Sequence, residues 1–280
     1  MKLLKSVFAF YINSSIHVAL AVVAFMTVTV MKNQLIVPAA LWFFVFFGSI
    51  TAYNFVKFAN IAGLHHRRLA KSLRTIQIFS LVCFLGFCYS VLLIPISALL
   101  VTASFGLLTL FYAIPFFENK SLRTFSGIKI FVVALVWAGV TVIVPFIAAG
   151  QDISTIAFLA FTQRFLLVVA LILPFEIRDV PYDDFSLNTL PQKFGERNVK
   201  ILGIVLLLSC LIIEVFKKET SAAYLISLVI LCVLIGFVII ISRTNQTQYF
   251  ASFWVEAIPI VWFVVLWVLY GFQFSSLGIY

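Results

Sequence analysis

Apolar runs of about 18 residues or more follow one another along almost the whole chain, separated by short polar connections. Each run is long enough to cross the roughly 30 Å hydrocarbon core of a bilayer as a helix. The pattern predicts spans over Val7–Val30, Leu35–Phe58, Thr75–Ile94, Ile96–Ile114, Gly127–Ala149, Thr155–Ile177, Val199–Phe216, Ala222–Ser242 and Ala257–Phe274. A transmembrane barrel would instead alternate apolar and polar positions over short segments, and these runs do not. The expected fold is therefore an all-α polytopic membrane protein, with about nine transmembrane helices in one bundle and residues 1–280 forming a single domain without a soluble module. Val7–Val30 is too long for a typical signal-peptide core and reads as the first span. Pro38, Pro95, Pro115 and Pro259 fall at or near span ends, where a missing N–H does least harm, whereas Pro145 lies inside its span and is expected to kink it.

Composition sharpens the class. Hydrophobic residues make up 64% of the chain and charged ones 10%, far from the roughly 45–50% and 25% of soluble domains. The formal charge of +9 is explained by loop charges that orient helices, so no nucleic-acid partner is expected. With the N-terminus cytoplasmic, that face carries Lys2, Lys5, Lys57, Arg67, Arg68, Lys71, Arg74, Lys120, Arg123, Lys129, Arg178, Lys193, Arg197, Lys200 and Arg243. The other face carries only Lys32, Lys217 and Lys218, and Arg164 lies inside a span. Nine spans then put the C-terminus on the opposite side, as expected for a multi-pass protein of a bacterial cytoplasmic membrane. Cys83, Cys88, Cys210 and Cys232 lie in apolar runs without metal-ligand spacing and read as small core residues.

Acidic residues are scarce and clustered. The first is Glu118, and Glu176, Asp179, Asp183, Asp184 and Glu196 gather in or beside the stretch LPFEIRDVPYDDFSLNTLPQKFG. Asp179 and Asp183 are four apart, so a helix continuing through them would project both carboxylates on one side. That spacing suits Mg²⁺, which takes one or two carboxylates and completes its octahedron with water and phosphate oxygens. Pro181 between them opposes a continuous helix, and an ordinary hydrated loop balanced by Arg178, Lys193 and Arg197 is the competing reading. The connections at 59–74 and 178–198 share the cytoplasmic face and form the expected cap of a site.

The segment EIRDVPYDDFSLNTLPQKFGERN resembles the second aspartate-rich motif of the UbiA-type intramembrane prenyltransferases. Asp179 and Asp183 match its aspartates, Thr189-Leu190-Pro191 its Thr-Leu-Pro-like run, and Lys193-Phe194-Gly195 its basic end. The stretch from Phe111 to Pro145 is similar to that family's fourth connection and fifth span. The first motif, Asn-Asp-x-x-Asp near the end of the second span, is not kept: in YNFVKFANIAGLHHRRLAKS, Asn54 is in place but Phe55 and Phe58 stand where aspartates would be.

The resemblance implies a nine-span fold and Mg²⁺ held by Asp179 and Asp183. Its substrates would be a polyprenyl diphosphate donor and a lipophilic acceptor such as an aromatic or quinone-precursor compound, with membrane lipid as a further partner. With one acidic anchor missing, Lys57 beside Asn54 and the cations His65, His66 and Arg67 are candidates to neutralise the diphosphate directly, with Arg178, Lys193 and the intramembrane Arg164 as further candidate contacts. The alternative, which the lost motif favours, is a catalytically inactive relative that binds a lipid or protein partner. Family-like packing would bring Asn54 and Lys57 to face Asp179 across one polar cavity.

Overall fold

Helices account for the ordered architecture, and they begin and end close to the predicted spans. The computed structural model describes residues 2–59, 70–114, 127–183, 187–217 and 220–276, side chains at 2, 58–59, 70–73 and 272–276 excepted. In chain order these hold α1 (Lys2–Asn13), α2 (Ile16–Lys32), α3 (Ala40–Ala59), α4 (Ala70–Val91), α5 (Ile96–Ala113), α6 (Lys129–Ala138), α7 (Val144–Ala148), α8 (Thr155–Asp179), α9 (Leu190–Val215), α10 (Ala222–Ile241) and α11 (Ile258–Ser276). Among the described residues eight helices are long and apolar enough to cross a membrane, and a ninth span results when the bent α1–α2 pair is counted as one. The chain is an integral, multi-pass membrane protein.

The spans close into a ring. α2 packs on α3, α3 on α5, α5 on α6, α6 on α8, α8 on α9, α9 on α10 and α10 on α11, and α11 returns to α2, while α4 lies against α3. Lipid tails are as apolar as leucine, so close contact and interhelical hydrogen bonds hold such a bundle rather than water expulsion. Gly139 supplies one close approach: a Cβ there would collide with the Phe105 ring of α5. At the centre Phe25 meets Trp137 and Trp262 edge to face, with centroids 6.0 and 5.7 Å apart.

Three departures from the predicted spans have physical causes. The first span is broken, since α1 and α2 meet at 53° across Ser14 and Ser15, and Ser15 adopts φ 65°. Asn54 of α3 holds the break, because Ser15 Oγ donates to Asn54 Oδ1 at 2.7 Å and Asn54 Nδ2 donates to the Ser14 carbonyl at 3.2 Å. The seventh span starts earlier than predicted, because Leu190–Phe194 is already helical and the chain then bends at Gly195 (φ 78°). The fifth span carries a π turn, Gly139–Ile143, just before Pro145; proline removes one backbone bond and crowds the preceding turn, and the wider turn accommodates it. A second π turn, Phe250–Val255, precedes α11.

Candidate functional site

Glu176, Asp179 and Asp183 lie three and four residues apart, which on a helix places them on one face. α8 ends at Asp179, yet the Asp183 and Tyr182 amides both donate to the Asp179 carbonyl at 2.8 Å, so the backbone makes a further turn. Pro181 therefore does not separate the aspartates: it sits where α8 is already ending, and the two remain one turn apart. Glu176 is buried, and its Oε1 lies 2.9 Å from Lys129 Nζ at the start of α6. The same ammonium lies 3.4 Å from Asp183 Oδ2. Asp179 is engaged by its neighbour, Arg178 Nε and Nη2 donating to its two oxygens at 2.7 and 3.1 Å, and the Arg178 guanidinium lies over the Phe175 ring.

The connection after Asp183 is tied back to this group. Gln192 Nε2 donates to the Asp183 carbonyl at 3.1 Å and Gln192 Oε1 accepts from the Thr189 amide at 2.9 Å, while the Gly127 amide donates to the Leu187 carbonyl at 3.3 Å. Thr189 is the N-cap of α9. Its side chain and that of Gln192 form a capping box over the first turn. A cavity of about 10 Å³ is lined by Gly127, Lys129, Ile130, Glu176, Leu187, Thr189 and Leu190. That is the space of roughly one oxygen atom or water.

The predicted residues are brought together only in part. Asp179, Asp183 and Arg178 share the end of α8, whereas Lys193 is exposed one turn into α9. His65, His66 and Arg67 lie outside the described residues. Asn54 does not look across a cavity at Asp179: its amide is used on Ser14, Ser15 and Ser80, the last at 2.7 Å. Lys57 Nζ donates to the Asn13 carbonyl at the end of α1 at 3.0 Å. Arg164 bonds to the Phe25 carbonyl, Thr141 and Thr29 at 2.7, 3.1 and 3.2 Å and stacks on Phe25. It fastens α8 to α2 and to the π turn, and none of these bonds reaches the acidic connection.

Three residues of the region escaped the sequence reading. Lys129 was counted only as an orienting charge, although its spacing from the acidic stretch carries no local signal. Glu176 was noted in the cluster without a role, and its i, i+3, i+7 relation to Asp179 and Asp183 was the available clue. Glu256, just after the second π turn, lies within electrostatic reach of both Lys57 and Arg178, and also of Tyr11 and Tyr53. Tyr53 is itself anchored by Trp137 Nε1 at 2.6 Å. A carboxyl group thus lies within reach of both the α3 and the α8 sides of the bundle.

Comparison with known proteins gives a consistent picture. The model of the UbiA prenyltransferase family matches residues 65–258. A UbiA homologue from Aeropyrum pernix K1, solved in its apo form, superposes with a TM-score of 0.66 at 16% identity, over 90% of this chain and 98% of that one. A structure reported for digeranylgeranylglyceryl phosphate synthase gives 0.55 at 17% identity, over 96% and 98%. No curated protein matches.

Proposed function

The chain belongs to the UbiA prenyltransferase family, and from that premise we propose that it transfers an isoprenyl chain from a polyprenyl diphosphate to a lipophilic acceptor at the Lys129–Asp183 end of the bundle. The observation that carries this reading is the convergence of Glu176, Asp179, Asp183, Lys129 and Arg178 on one buried-to-half-buried polar site in a chain otherwise poor in charge.

The residues fit one divalent cation better than two. Asp179 and Asp183 offer carboxylates one turn apart, and only one oxygen of Asp183 is near Lys129. Phe55 offers no ligand and is exposed on α3. Among the described residues no group of three or more His, Cys, Asp or Glu side chains is arranged to hold a metal, so an ion bound by the aspartate pair would have to be completed by water and diphosphate oxygens. Mg²⁺ bound by Asp179 and Asp183 would supply neutralisation of the charge that builds on the departing diphosphate.

The remaining work falls to the protein. Lys129 and Arg178 hold positive charge at the site's entrance and orient the diphosphate by charge-assisted hydrogen bonds. As the C1–O bond breaks, its electron pair leaves with the diphosphate, and the allylic cation left behind is expected to be stabilised by aromatic rings of the bundle interior, which attract positive charge. A nucleophilic carbon or oxygen of the acceptor then forms the new bond to C1 and gives up its proton.

The test is to incubate purified protein in nanodiscs with a radiolabelled polyprenyl diphosphate, total membrane lipid and Mg²⁺, and to follow release of diphosphate and labelled lipid product. Stoichiometric appearance of both supports the transferase. Binding of the donor without release of diphosphate supports the alternative, a lipid-binding relative without turnover, which Phe55 in the lost motif favours.

A further inference from the structure

We propose that Lys129 is a resident cation of the diphosphate subsite, held in place by Glu176 and Asp183, and that it takes over the charge neutralisation a second metal ion would otherwise provide. The inference rests on the prenyl-diphosphate reading above and concerns how that site is charged.

The geometry supports it in three ways. Lys129 Nζ sits between two carboxylates two turns apart at the end of α8, 2.9 Å from Glu176 and 3.4 Å from Asp183. Second, the side chain is not sealed in: the ammonium-bearing side chain retains 22% exposure while Glu176 retains 3%. Glu176 therefore works as a buried counter-ion that fixes the lysine, while part of the lysine side chain stays accessible. Third, the cavity beside this pair is lined by Thr189 as well as by Lys129 and Glu176 and has the space of roughly one oxygen. An oxygen seated there would lie beside Lys129.

The alternative cation from α3 fits less well. Lys57 donates to the Asn13 carbonyl, so its charge is directed towards α1. Lys129 instead lies on the carboxylates themselves. Expected behaviour follows from the substitution of a fixed ammonium for an exchangeable ion: part of the diphosphate affinity survives removal of divalent metal.

The experiment uses farnesyl S-thiolodiphosphate, an analogue that ionises poorly, titrated against full-length protein in nanodiscs with Mg²⁺ or with EDTA. Wild type is expected to retain measurable binding in EDTA. Lys129→Met should abolish that metal-free component, weakening it roughly ten- to one-hundred-fold, the range expected for loss of a charge-assisted hydrogen bond, while leaving a binding curve that depends steeply on Mg²⁺. Lys129→Arg should restore the metal-free component. Thermal unfolding of each variant in the same nanodiscs checks the fold, and the Arg variant separates loss of charge from loss of structure. Wild-type binding that needs Mg²⁺ completely, or an unchanged Lys129→Met protein, overturns the resident cation while leaving the prenyl-diphosphate reading standing. Failure of wild type to bind the analogue in either condition overturns both.

Discussion

Lys32 at the end of α2 and Glu214 near the end of α9 form a buried ion pair 182 residues apart in the chain. Lys217 completes it, donating to Glu214 at 2.9 Å and to Gln163 at 2.7 Å, and Thr220 donates to the same carboxylate at 2.7 Å. Lys32 also lies 3.6 Å from the centroid of the Tyr224 ring. Four helices are thereby joined at the end of the bundle away from Asp183. Removing one member of a buried, hydrogen-bonded pair leaves a charge unpaired and costs about 3–5 kcal/mol. Glu214→Ala is expected to lower the thermal unfolding temperature of detergent-solubilised protein clearly, and to leave the Mg²⁺ dependence of diphosphate-analogue binding unchanged.

Gly139 makes a packing prediction. The Phe105 ring occupies the space a side chain there would need, and the π turn beginning at Gly139 fixes the local backbone. Gly139→Val should push α5 from α6 and destabilise the protein by about 1–3 kcal/mol, the cost of overpacking, measured by thermal unfolding. Gly106, which meets nothing within 4 Å, should tolerate alanine with little change, and equal losses at the two positions would remove the packing explanation.

Much of the fold was legible because bilayer thickness dictates run length, and eight of the nine predicted runs correspond to single candidate spans, the first to a bent pair of helices. What the runs could not show was local geometry set by tertiary partners. Ser14 and Ser15 carry no proline or glycine to announce a break, and Asn54, distant in sequence, is what stabilises it. The aspartate pair was legible from its spacing. Lys129 was not, because a lysine at a span end signals orientation equally well, and only the approach of α6 to α8 turns it into a partner of Glu176. Arg164 was legible as an inward-facing cation, but its partners are backbone and threonine oxygens of α2 and the π turn.

Topology is open to direct test. Fifteen basic residues on one side and three on the other predict that the N-terminus and the connections at 59–74 and 178–198 share the cytoplasmic face, with Tyr280 opposite. Reporter fusions after residues 68, 186 and 280 should give two cytoplasmic signals and one external signal. A cytoplasmic signal at residue 280 would require an even number of crossings.

Asp183 and Lys57 separate the two sides of the bundle. Asp183→Asn should weaken Mg²⁺-dependent binding of the analogue by about tenfold, as expected for loss of a charged ligand, and loosen Lys129. Lys57→Asp should not create a second metal site, because Phe55 supplies no oxygen and the Lys57 side chain is directed to Asn13. Mg²⁺ titration of both variants distinguishes the cases: tighter metal binding by Lys57→Asp would show that α3 does face the site.

Glu256 tests the charge balance of the whole region. Its carboxylate lies within reach of Lys57 and Arg178, with Tyr11 and Tyr53 nearby, and the π turn before it sets where the side chain enters the bundle. In surroundings of low dielectric, unit charges interact far more strongly than in water. Glu256→Gln removes a carboxyl that, once ionised, compensates Lys57 and Arg178, so the substitution matters most at high pH, where an incoming diphosphate then meets a more positive entrance. Affinity for the uncleavable analogue should therefore rise severalfold, and the gain should shrink at high salt because the entrance is partly exposed. The same variant should release diphosphate more slowly after turnover, which a single-turnover comparison with steady-state rates would reveal. If Glu256 instead positions Arg178 or contributes to metal retention, the substitution weakens binding and steepens its Mg²⁺ dependence. The direction of the affinity change thus decides whether this acid opposes the substrate's charge or helps to hold its counter-ion.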